Sequence, residues 1–170
     1  GQVVGINGTT PLYVYDRVLI TRRIEELRRI LPVQIQLHYA IKANPMPAVV
    51  QHIATLVDGL DIASQGELFT AINSGMNVSE ISFAGPGKTN SELLSAIAAG
   101  VVVNIESAHE LSRVELIGRN NCLTPKIALR INPDFELKTS GMKMAGGSKQ
   151  FGIDAENIPE VLDQLKTLEL

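Results

Sequence analysis

A single lysine, Lys42, lies between an apolar segment, residues 37–41, and a turn with the sequence Ala43-Asn44-Pro45. A lysine that is partly desolvated can lose its proton, and its free amine then attacks an aldehyde to form a Schiff base. In α/β proteins the chemistry is usually located at the carboxyl ends of the strands. Most lysines in such positions are solvated loop residues, so Lys42 is a candidate whose role depends on its surroundings.

The elements around Lys42 follow from residue type. Side chains alternate between the two faces of a strand, so Lys42 should share a face with His38 and Ala40. Asn44 is suited to cap a helix and Pro45 to occupy its first position, which predicts that a helix begins at Pro45. Its apolar positions are Val49, Val50, Ile53, Leu56 and Val57.

Similar units recur along the chain. Strand-like segments at 60–63, 81–84 and 101–105 are each followed by a capping box, in which a hydroxyl residue caps a helix and a glutamate three positions later reaches back to it. A fifth strand is predicted over 126–131. The capping pairs are Ser64 with Glu67, Thr89 with Glu92 and Ser107 with Glu110, and glycines at 75, 100 and 118 are predicted to end the helices.

The last part of the chain has a different character. Residues 132–150 are polar and rich in glycine, and we expect mobility between about 138 and 149, including Gly146-Gly147. A final helix is predicted over 156–168.

A repeated βα unit predicts a parallel sheet with right-handed crossovers. Five strands suit either an open doubly wound sheet or part of an eight-stranded barrel, which needs about 250 residues. The first βα turn contains neither GxGxxG nor GxxxxGK[ST]. The sequence therefore gives no support to a dinucleotide site or a P-loop.

Composition excludes several other classes. The chain has 170 residues, 45% of them hydrophobic, and a net charge of −3, which is typical of a globular enzyme and argues against a nucleic-acid surface. Cys122 is the only cysteine, which is consistent with a reducing compartment. No apolar run approaches the roughly 20 residues that span a bilayer. We expect a cytoplasmic protein without membrane or nucleic-acid partners, and the absence of an initial methionine indicates a processed or partial chain.

Several segments together carry a family resemblance. The segments are GTTPLYVYD at 8–16, YAIKANP at 39–45, DIASQGE at 61–67 and LRINPD at 129–134. With these segments the chain resembles, from about residue 9 to 151, the fold-type III pyridoxal-phosphate-dependent decarboxylases, the group of diaminopimelate, ornithine and arginine decarboxylases. GPGK at 85–88 with the stretch 132–152 is similar to the branch associated with bacterial exosortase A systems.

The resemblance implies the amino-terminal part of an alanine racemase-like (β/α)8 TIM barrel. Residues 31–170 would form the first five βα units of a barrel that binds pyridoxal 5'-phosphate. Residues 1–30 would lead from a second, β-rich domain, to which a strand at 12–15 would belong. The whole protein would be a homodimer that acts on an amino acid.

The resemblance also assigns site residues. Lys42 matches the Schiff-base lysine of the family. Ala40 matches a small residue against the cofactor, although filling of the barrel interior explains it equally well. Asp61 matches an aspartate that would stabilise a protonated amine or imine, where the alternative is a surface carboxylate. Arg130 is charged within an apolar strand, and a buried fixed charge needs an anionic partner. It matches an arginine that lies beside the cofactor in the family.

Other polar residues are predicted to have structural roles. Glu67 is explained by its capping box, and residues 85–88 by a loop at the rim of the site. His38 is predicted to fill the barrel interior, while His52 and His109 lie near no other ligand type, so no metal site is expected. Cys122 is expected to be inert.

Two departures from the family bear on activity. Gln150 stands where relatives often have lysine before Phe-Gly, with Lys149 one position earlier, which puts an interface salt bridge in doubt. The downstream histidine, phosphate loop and partner-subunit residues that the family uses are absent from this sequence. We expect decarboxylation by the full-length protein and an inactive isolated chain. The alternatives are a racemase of the same barrel type and a non-catalytic carrier of pyridoxal phosphate, which would not need a strand at 12–15.

Overall fold

The structure is a computed structural model and describes residues 5–6, 8, 10–133 and 151–167. The predictions for 138–149, which include the paired glycines, and for Gln150 lie outside these residues. Each helix within the described ranges is too short or too polar to span a bilayer. The chain divides into two compact units, Gly1–Ile35 and Gln36–Leu170.

The first unit contains the helix α1, Arg17–Ile30. Asp16 caps this helix, since its carboxylate accepts hydrogen bonds from two backbone N–H groups of the first turn. The helix ends at Leu31, whose extended backbone is favoured before Pro32. Residues 12–15, predicted as a strand, lack regular secondary structure, because no strand among the described residues pairs with them.

A parallel sheet of five strands forms the second unit. The strands are β1 His38–Ala40, β2 Gly59–Ile62, β3 Ile81–Phe83, β4 Val102–Ile105 and β5 Lys126–Leu129. Their order in the sheet is the same as their order in the chain. Doubly wound sheets reverse their strand order at one point, whereas a barrel adds each new strand on the same side. The order is therefore that of consecutive barrel units.

Helices connect the strands. The α-helices are α2 Pro47–Ala54, α3 Gln65–Ile72, α4 Asn90–Ala99, α5 Ala108–Asn121 and α6 Ile158–Thr167. Short 3₁₀ turns lie at Ile41–Ala43, Val78–Glu80 and Ala155–Asn157. A second, two-stranded parallel sheet consists of β6 Ile131–Asn132 and β7 Ile153–Asp154.

The two faces of the main sheet differ in chemistry. One face carries buried apolar side chains, such as Leu60, Ile81 and Phe83, which belong to one core cluster with buried residues of α2 to α6. The other face carries small and polar residues, because side chains alternate along each strand. Register pairs Ala40 with Asp61 and Asp61 with Ser82 across the first three strands. The apolar face stabilises the fold, and the polar face is free to bind a ligand.

The helix after β1 begins two residues later than predicted. Met46 caps α2 and Pro47 is its first residue, while the 3₁₀ turn Ile41–Ala43 contains Lys42. A helix that began at Pro45 would need a helical backbone at Met46, which the following proline disfavours. The observed Met46 has φ −58° and ψ 120°, outside the helical region.

Several further boundaries differ from prediction: α3 ends at Ile72, before Gly75, and α6 begins at Ile158. Gly118 lies inside α5, and the helix ends instead at Cys122, which has a left-handed backbone with φ 53°. Gly118 has a packing reason, because a Cβ there would approach Leu123 O to 2.9 Å. The predicted fifth strand is interrupted at Arg130, since β5 pairs with β4 and β6 pairs with β7.

The three predicted capping boxes all cap their helices, but only one is reciprocal. Glu92 accepts a hydrogen bond from the Thr89 N–H at 2.9 Å, and hydrogen bonds from the Thr89 backbone and hydroxyl lower the pKa of Glu92. Ser64 and Ser107 accept N–H groups as predicted. Their glutamates instead accept the N–H one residue before the cap, from Ala63 to Glu67 and from Glu106 to Glu110.

Candidate active site

A cleft lies at the carboxyl ends of the strands, on the polar face of the sheet. Its volume is about 560 Å³, within the range of small-molecule sites. Its lining brings together all four residues predicted for the site, Lys42, Ala40, Asp61 and Arg130, and adds Ser82 and Glu106 among others.

Lys42 is exposed and lies in the turn that follows β1. Its neighbour Ile41 is fully buried and anchors the turn, and Asn44 donates its N–H to Ile41 O at 3.0 Å. The Tyr39 hydroxyl donates to Asn44 O at 3.2 Å. Among the described residues, the Lys42 amine has neither a hydrogen bond nor an ion pair. The backbone is fixed while the amine is available to a ligand.

A row of side-chain hydrogen bonds crosses the first four strands of the sheet, β1 to β4, on the face that lines the cleft. Ser82 Oγ donates to Asp61 Oδ1 at 2.7 Å, and His38 Nδ1 lies 3.3 Å from the same oxygen. Asn104 Nδ2 donates to Ser82 Oγ at 3.3 Å. The His38 ring fits because Gly59 has no Cβ, which would otherwise approach its Nε2 to 2.6 Å. The row fixes one oxygen of Asp61 within the cleft lining.

Arg130 lies between β5 and β6 and contacts two groups. Its Nη1 is 3.4 Å from Glu106 Oε2, and its guanidinium lies 4.3 Å from the centre of the Phe151 ring, a cation–π distance. Its backbone carbonyl accepts the Ile153 N–H at 2.8 Å. The anionic partner expected for Arg130 within the protein is therefore Glu106.

Lys88 differs from its predicted position at the rim, because its side chain is buried. The ammonium donates to Gly85 O at 2.7 Å, to Asn104 O at 2.8 Å and to the Glu110 carboxylate at 3.0 Å. Three donors have three acceptors, so this ammonium is saturated. The lysine joins the loop after β3 to β4 and α5.

The sequence analysis missed Glu106, Ser82 and Asn104. The strand pattern could have indicated them, because Asn104 alternates with the buried Val103 and Ile105 and so lies on the opposite face of β4. The end of β4 is also adjacent to the ends of β3 and β5. Glu106 was overlooked because the capping pattern of Ser107 with Glu110 explained that segment without it.

The residues fit a pyridoxal cofactor. An aldehyde needs an accessible primary amine, and Lys42 supplies one in the lining of the cleft. Ala40 leaves room beside it. Glu106 Oε2 is buried and makes no hydrogen bond to any described residue, so the cleft retains an acceptor.

Comparison with known proteins agrees with this fit. Residues 17–170 match a family described as pyridoxal-dependent decarboxylase, pyridoxal binding domain. The chain is 37% identical over 166 residues to diaminopimelate decarboxylase of Aquifex aeolicus, a match that covers 95% of this chain and 39% of that protein. It is 34% identical over 161 residues to L-glutamyl-[BtrI acyl-carrier protein] decarboxylase of Niallia circulans, covering 94% and 38% of the two chains.

Solved structures show the same relation. The crystal structure of Helicobacter pylori diaminopimelate decarboxylase with L-lysine has a TM-score of 0.83 at 28% identity, covering 95% of this chain and 42% of that one. The enzyme of M. jannaschii, also with L-lysine, has a TM-score of 0.78 at 29% identity, covering 94% and 39%. The chain spans about two fifths of these proteins. The predicted family, cofactor and fold are thus confirmed: the chain belongs to the pyridoxal-binding domain family of the pyridoxal-dependent decarboxylases and forms the amino-terminal part of their TIM barrel.

Proposed function

We propose that the protein containing this chain is a pyridoxal-phosphate-dependent amino-acid decarboxylase in which Lys42 binds the cofactor covalently. The observation that carries the proposal is the accessible amine of Lys42 in the lining of a cleft at the carboxyl ends of parallel strands. Pyridoxal phosphate, when bound, supplies an aldehyde that condenses with amines and a ring that withdraws electrons from the bond to be broken.

The residues of the chain have distinct proposed roles. Lys42 Nζ would hold the cofactor through its aldehyde, because its amine is exposed in the lining of the cleft. Asp61 offers its carboxylate to a cationic nitrogen in the cleft, and Ser82 and His38 hold that carboxylate in place. Ala40 leaves space for the ring, since a larger side chain at this position of β1 would project into the cleft. Arg130, which follows β5 at the opposite edge of the sheet from β1, would contact the cofactor.

The names of the relatives favour decarboxylation over racemisation and over a carrier role. A Staphylococcus aureus protein, 34% identical over 152 residues, is named 2-[(L-alanin-3-ylcarbamoyl)methyl]-2-hydroxybutanedioate decarboxylase. Together with the diaminopimelate and glutamyl-carrier-protein decarboxylases it shares the reaction but not the substrate. We infer that the full-length protein catalyses decarboxylation, while the names of the relatives do not select one substrate.

We also propose the organisation of the whole protein. Residues 31–170 belong to the cofactor-binding barrel and residues 1–30 lead from a second domain, a division supported by the compact unit that begins at Gln36. The protein is proposed to be a cytoplasmic homodimer. The exposed, unpaired Cys122 supports a reducing compartment, and sedimentation of the full-length protein tests the dimer. The exosortase A-associated branch stays a prediction.

Borohydride reduction tests the covalent role. With pyridoxal phosphate present, reduction of the full-length protein should attach the pyridoxyl group to Lys42, as located by mass spectrometry of peptides. Lys42→Ala should abolish the label and the turnover while the protein stays folded, because an exposed side chain is removed. Lys126→Ala is the matched control, because Lys126 is an exposed lysine at the amino-terminal end of β5, away from the cleft. Labelling of another lysine instead would refute the assignment.

The reaction type needs a second measurement. Release of carbon dioxide from amino acids, with diaminopimelate as the first probe, is compared with exchange of the α-proton in deuterated water. Carbon dioxide release without fast exchange supports the decarboxylase. Exchange without carbon dioxide release would indicate a racemase, and neither reaction with full labelling of Lys42 would indicate a carrier.

A further inference from the structure

Glu106 is a buried carboxylate that the proposed chemistry does not yet use. It follows β4 directly, and its side chain is 2% exposed. Gly85 follows β3 and Arg130 follows β5, so these residues stand near the ends of three successive strands. A carboxylate that leaves water at this depth is costly unless a cation and hydrogen bonds compensate it.

Four hydrogen bonds hold Glu106 in place. Its N–H donates to Glu110 Oε2 at 2.9 Å, and its carbonyl accepts the Gly152 N–H at 2.7 Å. Its Oε1 accepts the Gly85 N–H at 2.8 Å and a longer hydrogen bond from Arg130 Nη1 at 3.5 Å. Glu110 is in turn held by the saturated ammonium of Lys88. Backbone and side chain of Glu106 therefore have little freedom to move.

The remaining oxygen, Oε2, faces a cation without a completed hydrogen bond. It lies 3.4 Å from Arg130 Nη1, and no described residue donates a hydrogen bond to it. The Arg130 side chain is 39% exposed and lies among the residues that line the cleft. Phe151 covers the guanidinium plane at 4.3 Å. Glu106 and Phe151 thus restrain Arg130 from two sides, and the flexible partner of the pair is the arginine.

We propose that Glu106 is a positioning residue, whose buried carboxylate holds the Arg130 guanidinium in the orientation that pyridoxal phosphate requires. The inference rests on the proposed function only for the identity of the ligand. Glu106 itself acts through Arg130 and does not need to touch the cofactor. Glu106→Gln is the sharpest variant, since the amide oxygen can still accept from Gly85 while the charge that faces Arg130 is lost.

The first test needs no cofactor. The ¹⁵N–¹H signal of Arg130 Nε, assigned through its loss in Arg130→Lys, should exchange with water about tenfold faster in Glu106→Gln than in the wild-type protein. Glu115→Gln is the matched control, because Glu115 forms an ion pair of 2.7 Å with Arg119 at the surface. An unchanged exchange rate in Glu106→Gln would overturn the proposal.

The second test measures coupling in cofactor binding by the full-length protein. Glu106→Gln should weaken binding of pyridoxal phosphate about tenfold when Arg130 is present, a size typical of coupled neighbouring charges. In the Arg130→Met background the same change should alter the affinity less than about twofold. Equal effects in both backgrounds would mean that Glu106 has only a structural role. If the wild-type protein does not bind pyridoxal phosphate at Lys42, the proposed function fails, and the Arg130 signal still decides the role of Glu106.

Discussion

Lys42 and Lys88 both follow strands of the same sheet at the same edge, yet their environments are opposite. Lys88 has a side chain that is 1% exposed, and its ammonium is shared among Gly85, Asn104 and Glu110. Lys42 is exposed and, in the described chain, its amine contacts no acceptor. The position of a lysine at a strand end therefore does not decide its chemistry. The supply of acceptors decides it, because a saturated, buried ammonium cannot act as a nucleophile.

Removal of the buried lysine is expected to have the largest effect. Lys88→Met should lower the free energy of unfolding by about 3–5 kcal/mol, because Glu110 would remain buried without its cation. Lys42→Met should change it by less than about 0.5 kcal/mol, as is usual for an exposed side chain. Urea unfolding of both variants measures the two values. A cost below about 1 kcal/mol for Lys88→Met would show that the two lysines are more alike than their contacts indicate.

A double variant separates the cost of an unpaired Glu110 carboxylate from the cost of losing the Lys88 side chain. Lys88→Met with Glu110→Gln removes both charges and keeps a side-chain oxygen that can accept the Glu106 N–H, so it should recover about 1–2 kcal/mol relative to Lys88→Met alone. A double variant that is less stable than Lys88→Met would mean that Glu110 stabilises the protein independently of Lys88.

Chemical labelling should separate the two amines almost as strongly. Acetic anhydride should modify Lys42 at least about 100-fold faster than Lys88, a ratio that corresponds to a local opening free energy of about 2.7 kcal/mol. Mass spectrometry of peptides over time gives both rates, and Lys126 serves as an exposed reference. Comparable rates for Lys42 and Lys88 would contradict the difference in burial.

A smaller effect is expected when the hydrogen-bond row in the cleft that contains Lys42 is interrupted. Ser82→Ala removes the donor to Asp61 and the acceptor for Asn104, so we expect a loss of about 1 kcal/mol in stability. Binding of pyridoxal phosphate should weaken as well, because the Asp61 carboxylate loses one support. Thr70→Ala, which removes a hydroxyl that donates within α3, is the control and should leave cofactor binding unchanged. Unaltered binding in Ser82→Ala would remove this hydrogen-bond row from the site.

The smallest expected effect depends on pH. Hydrogen bonds from Thr89 lower the pKa of Glu92 in the folded protein from its ordinary value of 4.5. The ionised carboxylate therefore stabilises the fold above that value, and this contribution is lost as the pH falls through the lowered pKa. Glu92→Gln should cost about 0.5 kcal/mol at pH 7 and nothing in strong acid. Urea unfolding across this range checks the sign, and a cost that grows in acid would refute it.

The repeated units were predictable because their signals are local. Alternating apolar residues and hydroxyl caps place β2 to β4 and their helices within short segments of sequence. The start of α2 was also available in principle, since the second proline excludes a helical Met46. Lys42, Ala40, Asp61 and Arg130 entered through family resemblance, and the strand register explains why they meet in one cleft.

The burial of Lys88 and Glu106 was not predictable in the same way. Lys88 pairs with Glu110, and Glu106 accepts from Gly85, each across about twenty residues of sequence. The direction of a long side chain in a loop depends on which acceptors and donors the neighbouring units provide. The interruption at Arg130 has the same origin, because the strand that pairs with β6 lies beyond residue 150.

The register of the polar face also limits where the chain can change length. Ala40, Asp61 and Ser82 are 21 residues apart and lie side by side on neighbouring strands. A one-residue deletion inside β3 would exchange the faces of Ser82 and Phe83, placing a phenyl ring in the cleft and a hydroxyl in the core. The same deletion in the loop before α4 would leave this alternation intact. Insertions and deletions should therefore accumulate between the strands, while strand lengths stay fixed. In a library of single-residue deletions, variants with a deletion inside a strand should lose activity, and variants with a deletion in a loop should keep it.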